Sequence, residues 1–200
     1  MHRLLRFART LLGSGTLFGA VGLLFGNASD LAPPLPDFPR LLANATAVTV
    51  YEGLPHPLWE KRTFTEERRT KTNFELAGEF FYAEPLAVPA TDLQGLEQIF
   101  RTTKVCVPFR GEKFCGGFHA DYLIEWQKGE ARLASVLLCF GCHELKLVAP
   151  DLAVRTDLSE AGFAALRSIL TRYRQHRPPF KIDDGKKAPK PPPVRVEVKM

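Results

Sequence analysis

The sequence predicts an α+β domain: an antiparallel β-sheet with about two helices packed on one face, followed by a disordered C-terminal tail. Two observations carry that prediction. Residues 122–139 hold two alternating apolar–polar runs around Lys128-Gly129, which is the pattern of a β-hairpin. Residues 91–101 and 157–174 each set apolar side chains at helical spacing behind a residue able to cap a helix.

The elements follow in order. Residues 1–29 read as an export signal or an N-terminal anchor. Arg3, Arg6 and Arg9 form a positive start, residues 11–25 are apolar and glycine-rich, and small residues follow at Gly26, Asn27, Ala28 and Ser29, where a peptidase could cut. The uncharged run 10–28 is close to the ~20 residues that span a bilayer, so an uncleaved anchor is the rival reading. Either way the chain is expected to be exported to the periplasm or cell envelope, and its N-terminal segment contacts the membrane during export or as an anchor. Residues 30–45 (DLAPPLPDFPRLLANA) are proline-rich and predict an extended spacer. The folded α+β domain is expected over 46–177. Residues 178–200 form a Lys/Pro-rich tail expected to be disordered.

Within the domain, AVTVY at 47–51 predicts a strand ended by Gly53 and Pro55. The charged stretch 60–72 predicts an exposed loop or a short helix. Residues 73–82 suit one strand. Thr91 or Asp92 would cap a helix to about Arg101, with Leu93, Leu96, Ile99 and Phe100 on one face. The run 104–108 is strand-like and contains Cys106. Residues 122–127 and 131–139 form the hairpin, and 144–148 a third strand. Asp157 or Ser159 would cap a last helix to about Arg174. The motif L-A-V followed by T-D-L occurs at 86–93 and again at 152–158, either a duplication or chance plus common capping chemistry.

The charge excludes a nucleic-acid partner. Of 27 Lys/Arg, three lie in 1–29 and six in 181–200, while only three of 22 Asp/Glu lie in those ends. Residues 30–180 therefore carry 18 basic and 19 acidic side chains, and the basic pI belongs to the termini. No protein partner is legible.

Four cysteines are too few for a disulfide scaffold but enough for one or two bridges or one metal site. The stretch C-F-G-C-H at 139–143 fits four chemistries. As a haem c attachment motif it needs Cys139 and Cys142 as thioethers and His143 as axial ligand. Its strand context opposes that, as does the restriction of methionine to Met1 and Met200. As a periplasmic thiol–disulfide oxidoreductase motif it should open a helix, where the thiolate is favoured, and here it lies between strands. As a metal site, Cys115, His119, Cys139 and Cys142, with His143 adjacent, form a donor set of the kind zinc takes. As a structural bridge, Cys115 pairs with Cys139 or Cys142 and closes a loop of about 25 residues, contributing roughly 3 kcal/mol. Zinc is thus the one cofactor the residues suggest. His56, Glu52, Asp121 and Glu144 stand at the periphery of this group. His119 and Asp121 could form an acid–base pair, yet no serine nucleophile motif accompanies them, and no catalytic residue is assigned.

Y-E-G-L-P-H-P at 51–57, C-G-G-F-H-A-D-Y at 115–122 and C-F-G-C-H-E at 139–144 together resemble a family of uncharacterised exported bacterial proteins. The resemblance spans about 51–175. It differs at Ala120, where the family often has Pro. It brings no activity with it. It implies that the three segments belong together and that the Cys/His group is one site.

Overall fold

The computed structural model describes residues 34–113 and 116–177. The signal or anchor expected at 1–29 and the tail expected at 178–200 lie outside the described residues, as does Cys115. Six strands form one antiparallel sheet: β1 (Ala47–Glu52), β4 (Cys106–Val107), β5 (Tyr122–Lys128), β6 (Ala131–Cys139), β7 (Glu144–Ala149) and β8 (Leu152–Leu158), in spatial order β1-β5-β6-β7-β8-β4. A separate hairpin joins β2 (Asn73–Leu76) to β3 (Glu79–Tyr82). The described residues also form four α-helices: α1 (Phe38–Leu41), α2 (Lys61–Thr70), α3 (Ala90–Thr102) and α4 (Glu160–Leu170), two more than expected. No helix among the described residues is long and apolar enough to cross a membrane.

The strand alternation decides what covers each face. Val50 of β1, Ile124 and Trp126 of β5, Val136 and Leu138 of β6, and Leu145 and Leu147 of β7 face the helices. There they pack with Phe38, Leu96, Phe100, Leu166 and Leu170. Each fully buried Leu or Phe in this layer contributes roughly 2 kcal/mol relative to exposure. The opposite face buries a smaller cluster, Leu123 and Leu137 against Phe81 and Ala120. The β2–β3 hairpin covers part of that face. α2 packs on the hairpin through Phe64 against Phe80 (centroids 5.8 Å apart), while Tyr82 Oη donates to Glu67.

Four details differ from the expectations, and one choice left open is settled. Residues 38–42 are not spacer: Asp37 Oδ1 accepts the Arg40 N–H, a short helix forms, and Phe38 and Leu42 enter the core. The expected strand 73–82 is a hairpin, because Ala77 (φ 52°) and Gly78 (φ 82°) turn the chain through the left-handed region. α3 starts at Ala90 after Pro89, so Thr91 and Asp92 lie inside it and cap nothing; Asp92 instead pairs with Arg172 at 2.9 Å. Of the two caps expected for α4, Ser159 is the one used: its Oγ accepts the Gly162 N–H at 3.0 Å. The repeated motif has two structures: T-D-L is helical at 91–93 and part of β8 at 156–158.

Candidate functional site at the end of the sheet

The end of β1, the start of β5 and the β6–β7 turn meet at one end of the sheet, so residues 51–57, 119–122 and 138–142 share one neighbourhood. The Gly53 N–H donates to the Asp121 carbonyl at 2.9 Å, and the Asp121 N–H donates to Leu138 at 2.7 Å. A Cβ on Gly53 would stand 1.8 Å from the Ala120 carbonyl oxygen, so glycine permits this approach.

Two buried carboxylates organise the cluster. Glu52 is 1% exposed. Its Oε2 accepts the backbone N–H groups of Gln175 (3.0 Å) and His176 (2.9 Å), and its Oε1 that of Arg177 (3.2 Å). The Arg174 guanidinium lies 3.6 Å from the same carboxylate. Asp121 accepts the Phe140 N–H through Oδ2 (2.7 Å) and an Arg177 N–H through Oδ1 (2.8 Å). Arg177 also donates to Glu60 at 3.0 Å. A buried ion pair recovers its desolvation cost only with further hydrogen bonds, and here backbone N–H groups supply them. The segment 174–177 is thereby strapped across the sheet end, with the His176 ring stacked on Tyr82 at 3.9 Å.

Two histidines lie beneath the strap, with ring centroids 4.7 Å apart. His119 is buried, and its Nε2 lies 2.7 Å from the Leu54 carbonyl oxygen. A carbonyl only accepts, so Nε2 carries the proton. Burial lowers the His119 pKa to about 4; the Asp121 carboxylate opposes this and Arg177 reinforces it. The ring is neutral near pH 7. The His56 Nδ1 accepts N–H groups from Leu58 (3.1 Å) and Trp59 (3.3 Å), which places its proton on Nε2. That Nε2 is buried and has no hydrogen-bond partner among the described residues. Burial, then Arg177, lowers the His56 pKa as well.

The cysteines divide. Cys106 and Cys139 are buried free thiols, whereas Cys142 is disulfide-bonded. The Cys139 Sγ accepts the Cys142 N–H at 3.2 Å. Burial pushes its thiol up to about 12, and the Asp121 carboxylate acts in the same direction. Cys139 is therefore no thiolate. His143 turns away: its backbone is left-handed (φ 55°), its side chain is exposed, and its ring stacks on Phe163 at 3.9 Å.

Glu144 belongs elsewhere. It is fully buried, pairs with Arg155 at 2.7 Å and lies 3.8 Å from Lys113. Lys113 also holds Asp157 at 2.8 Å, and Arg155 reaches Glu112 at 2.8 Å. Thus Glu52, His56, His119, Asp121, Cys139 and Cys142 come together, while His143 and Glu144 point to other surroundings. Among the described residues no group of three or more His, Cys, Asp or Glu is arranged to hold a metal ion.

Sequence reasoning missed Glu60, Arg174 and Arg177. The only local signal was the basic run R-Y-R-Q-H-R at 172–177, which follows an apolar helix and has too few acidic neighbours to pair within itself. No family model, curated protein or solved structure matches the chain.

Proposed function

We propose that this is an exported, non-catalytic α+β domain whose Cys/His region is structural, a clamp fixing the loop before β5 and the C-terminal strap to the end of the sheet. The observation that carries the reading is the unlike state of the two cysteines of the C-x-x-C motif. Cys139 is a buried free thiol with a raised pKa, and Cys142 is disulfide-bonded. A redox pair or a haem attachment would use both sulfurs together. Cys106 and Cys139 being free leaves Cys115 as the intrachain partner of Cys142. A Cys115–Cys142 bridge closes a loop of about 27 residues and contributes roughly 3 kcal/mol. Zinc is disfavoured because the Cys142 sulfur is already engaged, and because the buried His119 ring spends its proton-bearing nitrogen on a carbonyl.

Export fits this reading, since an oxidising compartment preserves such a bridge. The N-terminal segment then meets the membrane during export or as an anchor. Thiol titration in denaturant combined with native mass spectrometry tests the proposal. The expected result is two titratable thiols per chain and no zinc or haem mass. Four thiols, stoichiometric zinc or a haem adduct would overturn it.

A further inference from the structure

The sheet has an unfinished edge. β4 pairs only with Asp157 and Leu158 of β8. The outer backbone of residues 152–156 has no strand beside it among the described residues. A row of uncovered N–H and C=O groups is a template for another strand. A cleft of about 360 Å³ runs along this edge, with Leu35, Pro108, Phe109, Val154 and Arg155 among its lining. Its two sides differ in chemistry. Val154 is 9% exposed and lies near Leu35, which packs against the helix-side core. Arg155 is on the opposite face, with its guanidinium 4.5 Å from the Phe109 ring centroid. A strand entering the cleft must be apolar on one side and charged on the other.

The chain carries such a strand. Residues 194–200 read V-R-V-E-V-K-M. Val194, Val196, Val198 and Met200 alternate with Arg195, Glu197 and Lys199, the period of a half-buried strand, in β-branched residues that suit one. This alternation sets the last seven residues apart from the Lys/Pro-rich stretch before them. Residues 178–193 form the connection from the last described residue, Arg177. Sixteen residues reach up to about 50 Å when extended, more than the ~40 Å breadth of a domain this size.

We propose that residues 194–200 pair in cis with the outer edge of β8 and finish the sheet as a seventh strand. The valines face Val154 and Leu35, and Glu197 faces Arg155. The tether gives the segment a millimolar effective concentration, so a weak pairing suffices to close the edge. The covered edge no longer recruits other chains.

Amide hydrogen exchange tests this. The unaltered chain of residues 1–200 is compared with one ending at Pro193 and with the 1–200 chain carrying Val196→Asp; β6 amides, unchanged in all three, report the intact domain. The expected result is that amides of residues 153–156 pointing away from β7 exchange at least about tenfold slower in the unaltered chain than in either variant. A peptide of residues 194–200 added to the truncated chain restores the protection. Equal rates in all three chains would overturn the proposal. So would protection that survives truncation, or protection that disappears on dilution as a dimer dissociates, which would assign the edge to a second copy.

Discussion

Glu52 and Glu144 are both buried glutamates at strand ends, yet they are neutralised in opposite ways. Glu52 is held by three successive backbone N–H groups, with Arg174 behind them. Glu144 is held by side chains alone, Arg155 and Lys113, which are themselves 27% and 29% exposed. Backbone donors are fixed once the strap is in place, and they have no alternative partner. Side-chain cations keep access to water and salt. The first arrangement determines where a chain segment lies; the second neutralises a buried carboxylate from half-buried cations on strands and loops the fold has already set.

Substitution separates the two most strongly. Glu52→Gln removes the anion and turns an NH2 group toward N–H donors. Urea unfolding should register a loss of about 3–4 kcal/mol and a released strap. An effect under about 1 kcal/mol would show that the N–H groups find water instead.

Acid should act nearly as strongly at the same end of the molecule. His119 titrates at about 4 when folded against 6.5 when unfolded. Between these values the unfolded chain binds a proton that the folded chain refuses. Stability is therefore complete above pH 6.5 and falls as the pH drops toward 4, by on the order of 3 kcal/mol. His56 is shifted in the same direction. Melting curves from pH 7 to 4 measure the slope, and His119→Gln should flatten it.

The second cluster should respond weakly. Glu144→Gln keeps an acceptor for Arg155 and should cost about 1–2 kcal/mol, with part of the difference removed by 1 M salt. Glu112 is 73% exposed, and Glu112→Ala should change stability by less than about 0.5 kcal/mol. A salt response at Glu52 as large as that at Glu144 would erase the distinction.

The same contrast explains what the sequence made legible. Alternation over 122–139 located β5 and β6, and the apolar stripe with Ser159 located α4, because periodicity reports which face is buried. β8 escaped notice because Arg155 and Asp157 look like loop residues until Glu144, Lys113 and Glu112 are seen opposite them. The β2–β3 turn escaped because Ala77 is not a residue that advertises a positive φ. Proline concealed Phe38 and Leu42. At the site, the Cys and His residues stood out by type, and the structure gathers His56, His119, Cys139 and Cys142. Arg174 and Arg177 gave no sign of their partners, because Glu52 and Asp121 are remote in sequence and a charge does not specify which distant charge it meets.

The most direct measurement is a peptide map of the non-reduced chain, alkylated in denaturant before digestion. A Cys115-containing peptide linked to the Cys142 peptide, with Cys106 and Cys139 alkylated, is the predicted result. A Cys139–Cys142 link would contradict it and return the C-x-x-C motif to redox chemistry.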